Sequence, residues 1–351
     1  MLTFLIMAGG SGERFWPLST RKKPKQLLKI FDEKSLIRLA YERVLPLVDK
    51  DRIFIATNEV QLDALKEDLS EISDDRIIIE PDFKDTASAI SYGSLIISKY
   101  YDNPTICVLA SDHLIKDEDN FRSTIKLAEY VASEGQIVTL GITPDHIETG
   151  YGYIKVKENI VGVPEKALEF TEKPKYDIAK AYYESKKYLW NSGMFIFRYD
   201  VLLEELKKHS YNHYITNQNI AKLIDKNEGV LTAKKVKDEF MNFEKKSIDF
   251  AIMEKSDKIS VIPSNFLWND VGGYLAFEDL FDADEDGNVS RNNSLITVDS
   301  SNNIIVSDKK YQRVSLLGVN NMIISITKDE ILIADKKDNQ RIKEIVKKAL
   351  K

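Results

Sequence analysis

Up to about residue 142 the chain alternates short apolar runs with longer segments whose apolar positions recur at helical spacing. Strands packed between two layers of helices give that pattern, because each strand is buried on both faces and is apolar almost throughout. The run 3–8 (Thr-Phe-Leu-Ile-Met-Ala) predicts the first strand. Helix 35–45, strand 52–57, helix 59–69, strand 76–80, helix 86–101, strand 105–110, helix 120–134 and strand 137–142 follow. The fold class is α/β, a doubly wound, Rossmann-like sheet, and function in such sheets gathers at the carboxyl ends of the strands. From 150 to 264 the order is less regular: 153–156, 168–170 and 194–197 predict strands, while 176–185, 201–209 and 247–254 predict helices.

The polar stretch 282–293 predicts a boundary between a larger region, 1–281, and a smaller one, 282–351. It contains Asp282-x-Asp284-x-Asp286-Gly287, the first half of a calcium loop, but Asn293 stands where a bidentate Glu belongs, so a solvated linker is expected. Beyond it, 295–298, 303–306, 314–317, 322–327 and 331–333 predict closely spaced short strands, and 340–350 a basic helix whose charges form a solvated face.

Composition narrows the function classes. The 351 residues are 43 % hydrophobic and 30 % charged, an ordinary folded protein with enough chain for a large core and a small second unit. A net charge of −6 argues against a general nucleic-acid binder, so a nucleotide would have to be held by local cations. The apolar start is too short for a signal peptide and no run is long enough to span a bilayer, so the expected location is the cytoplasm. The single cysteine, Cys107, lies within an apolar run and reads as a buried small hydrophobe.

Chemistry is densest just after the first strand, in Met7-Ala-Gly-Gly-Ser-Gly-Glu-Arg-Phe-Trp-Pro-Leu-Ser-Thr20 and Pro24-Lys25-Gln26. Glycines where a strand leaves its sheet let backbone N–H groups turn toward an anion, and Arg14 and Lys25 can neutralise the phosphate oxygens those amides orient. The candidate nucleotide-binding residues here are Ala8, Gly9, Gly10, Gly12, Arg14 and Lys25. No Gly-Lys-Ser/Thr follows, so this is not a Walker A loop, and the spacing is not that of the dinucleotide fingerprint. A tight turn would account for the glycines alone. The longer string resembles the signature of the sugar-1-phosphate nucleotidyltransferases, and Trp16-Pro17-Leu18 with Pro24-Lys25-Gln26 resembles their mannose-1-phosphate guanylyltransferase branch.

That resemblance covers nearly the whole chain. It implies a mixed sheet of the nucleotide-diphospho-sugar transferase type, a small C-terminal β-helix-like domain that is usually an oligomer contact, a homodimer, and no isomerase domain in a chain of this length. It further implies that Asp112, in Leu109-Ala-Ser-Asp-His-Leu-Ile115, and Asp270, in Trp268-Asn-Asp-Val-Gly-Gly-Tyr274, hold Mg²⁺, although each alone reads as a turn or cap. In similar fashion Gly150, Glu172, Lys173, Asn191 and Asp270 would take the sugar phosphate, with Glu172 and Asn191 on hydroxyls and Lys173 on the phosphate. Asp85 and Thr86 would join Asp112 on the nucleotide. Departures from the family pattern are Asp85 for Asn, Ser88 for Pro, Ser111 for Pro, and Glu13, whose charge beside Arg14 weakens the local field unless it points away. An Asp at 85 could still accept both N–H groups on the guanine edge.

The implied reaction is attack by mannose 1-phosphate on the α-phosphorus of GTP, with Arg14, Lys25, Asp112 and Asp270 as the catalytic set. The alternatives are the same chemistry on another sugar 1-phosphate and NTP, and a non-catalytic homologue that binds GDP-mannose and regulates a partner.

Overall fold

A computed structural model describes residues 1–10, 12–224, 233–308 and 312–349, apart from the side chains of 233–235 and 312. Ser11, in the middle of the glycine loop, lies outside the described residues. The first half runs β1 (Leu2–Met7), α1 (Leu36–Val44), β2 (Ile53–Thr57), α2 (Leu62–Asp68), β3 (Ile77–Ile79), α3 (Thr86–Ile97), β4 (Thr105–Ala110), β5 (Leu114–Ile115), α4 (Glu118–Ser133) and β6 (Ile137–Ile142). Then come β7 (Tyr153–Lys155), β8 (Glu165–Lys166), β9 (Glu169–Thr171), α5 (Tyr176–Ser185), β10 (Tyr188–Arg198), α6 (Tyr199–His209), α7 (Tyr211–Leu223), α8 (Ala233–Phe240), β11 (Ile259–Ser264), β12 (Trp268–Asn269) and α9 (Ala276–Leu280).

The main sheet has the order β3-β2-β1-β4-β10-β6-β11-β8. Strands β1 to β4 are parallel, and β11 is parallel to β6, but β10 enters antiparallel between β4 and β6. The main-sheet strands up to residue 142 all run one way, as the alternation of apolar runs and helices predicts, and the antiparallel β10 comes from the less regular stretch that follows. Side chains alternate across the sheet. Phe4 and Ile6 face the core under α1 and α4, with Ile37, Tyr41, Phe121 and Ile125, whereas Leu5 and Phe54 face Ile90, Leu95, Val201 and Phe240. Each fully buried side chain of this size contributes about 1.5–3 kcal/mol of transfer free energy. On α3, Gly93 lets the helix seat closely, since a Cβ there would lie 2.7 Å from Leu5 Cδ2.

The C-terminal part contains β13 (Val289–Arg291), β14 (Asn293–Val298), β15 (Ile304–Ser307), β16 (Gln312–Leu317), β17 (Met322–Ile326), β18 (Ile331–Asp335) and α10 (Ile342–Ala349). Val289 sits beside Ile304 and Ile304 beside Ile323, all parallel, while β14 pairs in parallel with β16: the chain returns on itself as stacked coils. Buried asparagines stitch the coils. Asn303 Nδ2 donates to Asn288 Oδ1 and to Val319 O, and Asn288 Nδ2 donates to Ser300 O. The stretch expected to be a solvated linker is exposed over 282–286 and is also ordered. Asp284 Oδ1 accepts from the backbone N–H groups of Asp286 and Asn288, and β13 begins inside the stretch.

This part packs on the segment after the glycine loop. Phe15, Leu18, Phe31, Tyr274 and Phe277 share a core with Val289, Ile304, Ile323 and Ile342, and the Tyr274 hydroxyl donates to Ser325 Oγ at 2.7 Å. On α10 the apolar pair Ile342 and Val346, one turn apart, is buried, and the helix rests on the single turn Glu13–Phe15.

Candidate active site

The glycine loop leaves β1 with its main chain already committed. Ala8 N–H donates to Ala56 O, and Ala8 O accepts from Gln26 Nε2 at 2.9 Å. Gln61 Nε2 donates to Gly10 O at 3.1 Å, so two buried amides hold the loop's carbonyls from behind. Gly12 is left-handed (φ 61°), and a Cβ there would lie 2.6 Å from Lys25 Cβ, so glycine is needed both for the turn and for the approach of residue 25. Beside Gly9, the Glu80 carboxyl is raised to about 7 by burial.

Lys25 is the centre of the arrangement. Its ammonium lies 2.8 Å from Asp112 Oδ2 and donates to Asp270 O at 2.7 Å, joining segments that are remote in the sequence. Burial, the largest single influence, opposes ionisation of Asp112, but the Lys25 charge, the neighbouring His113 and the hydrogen bonds to the carboxylate together hold it below its ordinary value. Arg14 Nη1 donates to Gly272 O at 2.9 Å. Asp270 Oδ1 accepts from the Tyr151 hydroxyl at 3.0 Å, and Trp268 Nε1 donates to His113 Nδ1 at 3.2 Å. Burial lowers the His113 pKa, and with Nδ1 accepting, the neutral ring carries its proton on Nε2.

Two cavities meet here. One, of about 370 Å³, is lined by Gly12, Glu13, Arg14, Phe15, Lys25, Asp112, His113, Asp270, Gly272 and Lys343. The other, of about 280 Å³, includes Thr86, Gly150, Tyr151, Glu172, Lys173, Asn191 and Asp249 and shares His113 and Asp270 with the first. The first gathers the predicted Gly12, Arg14, Lys25, Asp112 and Asp270, and the second gathers Thr86, Gly150, Glu172, Lys173, Asn191 and again Asp270. Ala8, Gly9, Gly10 and Asp85 line neither. Asp85 is the N-cap of α3, its Oδ1 accepting from Thr86 N–H at 2.8 Å, and Ser88 Oγ donates back to Asp85 O. Glu13 is among the lining residues of the first cavity, where it joins the carboxylates Asp112 and Asp270 and the cations Arg14, Lys25 and Lys343.

In the second cavity the side chains hold one another. Asn191 sits where β10 bulges against β6, and its Nδ2 donates to Asp249 Oδ1 at 2.9 Å. Burial, then the nearby Glu172 carboxylate, pushes Asp249 up to about 6. Lys173 Nζ pairs with Glu172 Oε1 at 2.6 Å, so its ammonium is already engaged. Gly152 makes room for this pair: a Cβ there would lie 2.5 Å from Glu172 Oε2. Sequence reasoning missed Gln26, Gln61, Tyr151 and Asp249 as site residues. Of these, Gln26 lies inside the Pro24-Lys25-Gln26 string that carries the family resemblance, and Gln61, Tyr151 and Asp249 lie in none of the strings given above. Lys343 is exposed, as its place on the solvated face of the terminal helix predicts, and it also lines the first cavity.

A basic glycine loop opening onto a polar, hexose-sized pocket is the arrangement of a nucleotidyl-transfer enzyme. The nucleotidyl transferase family model matches residues 3–287, and a mannose-phosphate isomerase/GMP-like β-helix domain model matches 293–349. A mannose-1-phosphate guanylyltransferase of Salmonella muenchen is 37 % identical over 97 % of this chain and 72 % of its own length. A Thermus thermophilus structure described as a mannose-1-phosphate geranyltransferase superposes with a TM-score of 0.88 at 30 % identity, covering 100 % of this chain and 99 % of that one. A Helicobacter pylori structure described as a mannose-6-phosphate isomerase covers 76 % of this chain and 99 % of its own, with a TM-score of 0.62 and 30 % identity. The chain belongs to the mannose-1-phosphate guanylyltransferase family of nucleotidyl transferases.

Proposed function

We propose that the protein transfers GMP from GTP to mannose 1-phosphate, forming GDP-mannose and pyrophosphate. The observation that carries this reading is Lys25, buried beneath the glycine loop and bound to both the Asp112 carboxylate and the Asp270 carbonyl, in a cavity that shares Asp270 with the sugar-sized pocket. The attacking phosphate oxygen is already anionic, so no strong base is needed. The barrier is repulsion between polyanions and their loss of freedom, which positioning and charge stabilisation address. Lys25 and Arg14 orient the triphosphate, while Glu172, Asn191 and Asp249 present acceptors and donors to hexose hydroxyls. The base end, near Glu80, Asp85 and Thr86, selects guanine.

Mg²⁺ belongs to the same proposal. Among the described residues no three His, Cys, Asp or Glu side chains converge on a metal position, but Asp112 and Asp270 line one cavity. Two carboxylates fit a hard cation that takes its remaining ligands from phosphate oxygens and water. When bound, it would neutralise charge on the phosphates being exchanged. Among the described residues no helix is long and apolar enough to cross a membrane.

The test is pyrophosphate release with Mg²⁺, crossing GTP, ATP, UTP and dTTP against mannose, glucose and other sugar 1-phosphates. Turnover confined to GTP with mannose 1-phosphate is expected. Another productive pair moves the specificity, silence with tight GDP-mannose binding turns the reading to a regulator, and conversion of mannose 6-phosphate alone turns it to an isomerase.

A further inference from the structure

We propose that Lys343, on the C-terminal helix α10, is a binding residue for the pyrophosphate portion of the nucleoside triphosphate, so that docking of the C-terminal domain completes the anion site. This inference rests on the nucleotidyl-transfer reading above. Lys343 lines the first cavity together with the cations Arg14 and Lys25 and the carboxylates Glu13, Asp112 and Asp270. The helix that carries it is fixed on both sides. Ile342 and Val346 are buried, α10 rests on the turn Glu13–Phe15, and the buried Asn339 just before it packs against Gly273, where a Cβ would lie 2.9 Å from Asn339 Nδ2.

The other cations of the cavity are each held in place by the protein. Lys25 is paired with Asp112 and bound to Asp270 O, and Arg14 is bound to Gly272 O. Neighbouring Arg341 is paired with Asp338 and Glu344. Among the described residues Lys343 makes no ion pair or hydrogen bond; it is exposed, with only a through-space interaction with Glu344, so its ammonium is free to turn to a triphosphate. Lys343 lines the first cavity only and not the sugar pocket, which meets it at His113 and Asp270. The end of the cavity away from the sugar is where the leaving β- and γ-phosphates must lie in an in-line displacement.

The full chain is compared with Lys343→Ala, Lys343→Arg and, as a control on the same helix, Lys347→Gln, with melting temperature measured for each. Inorganic pyrophosphate and GTP are titrated by calorimetry, and KM is measured for GTP and for mannose 1-phosphate. In Lys343→Ala the affinity for pyrophosphate and the KM for GTP should each worsen about tenfold, the scale of one charge-assisted hydrogen bond. KM for mannose 1-phosphate should stay within about twofold, and Lys343→Arg should recover most of the loss. Unchanged pyrophosphate binding in a folded Lys343→Ala, or an equal rise in both KM values, overturns the proposal. If the unaltered chain shows no turnover with any pair yet binds pyrophosphate through Lys343, the functional reading fails and the anion site stands.

Discussion

At the phosphate end of the cleft the cations are tied to main-chain carbonyls, Arg14 to Gly272 and Lys25 to Asp270, whereas at the sugar end side chains are tied to one another, Lys173 to Glu172 and Asn191 to Asp249. A carbonyl orients a cation without cancelling its charge, so a field remains for an incoming anion; only Asp112 offsets Lys25. The Glu172 carboxylate, paired with Lys173, has little net field, and the Asp249 carboxylate is fixed in direction by the Asn191 amide, so together they present a fixed pattern of donors and acceptors. The first end is therefore suited to stabilising charge that moves in the transition state, and the second to discriminating hydroxyls in the ground state.

The largest expected effect breaks the first end. Lys25→Ala and Asp270→Asn should each lower kcat by about a thousandfold with a cooperative melting transition retained, read by initial-rate kinetics and calorimetry. Near-normal turnover in either would refute the assigned role. Next, Glu172→Gln keeps the shape but loses the charge that holds Lys173; KM for mannose 1-phosphate should rise roughly 10- to 100-fold while kcat changes much less. If kcat falls in step with it, the division of labour between the two ends is wrong.

The smallest effect sharpens the comparison through pH. His146, half-exposed beside the loop that carries Gly150, is raised from 6.5 to about 9 by the carboxylates of Glu148 and Asp145, and Glu148 in turn accepts from Gly150 N–H. A raised histidine stabilises the fold fully below pH 6.5, and the contribution fades as pH rises through about 9. The melting-temperature difference between the protein and His146→Gln should be widest near pH 6 and close above pH 9. A gap that is flat across that range would remove His146 from the support of the sugar-end loop.

Strands with near-uniform burial are the ones the sequence shows best: β4 and β6 lie where their apolar runs predict. Helix α5 also lies where its helical spacing predicts, although Ala179 is its one buried residue. Helix α7 has no such signal. It buries His213, Thr216 and Asn217, with Asn217 Nδ2 donating to Ser91 O, so its inner face is polar. In β11, Pro263 argues against a strand, yet it is accommodated in register with Gly141. At the site, Arg14, Lys25, Asp112 and Asp270 are visible as strings that resemble a family. Their meeting is not, since Lys25 reaches Asp270 only after the whole sheet has wound. Lys343 carries no motif and depends entirely on where α10 docks.

Strand β10 joins the β1–β4 side of the sheet to the β6–β11 side, and Asn191 sits on it. A change at that residue therefore touches both the reading of the substrate and the seam of the fold, where a mispaired strand would leave two open sheet edges. Glu172 and Lys173, just beyond β9, and Gly150, in a loop, carry no such burden. Lineages of this architecture that acquire a new sugar should do so through residues of the second kind, and leave Asn191 nearly fixed whatever the sugar.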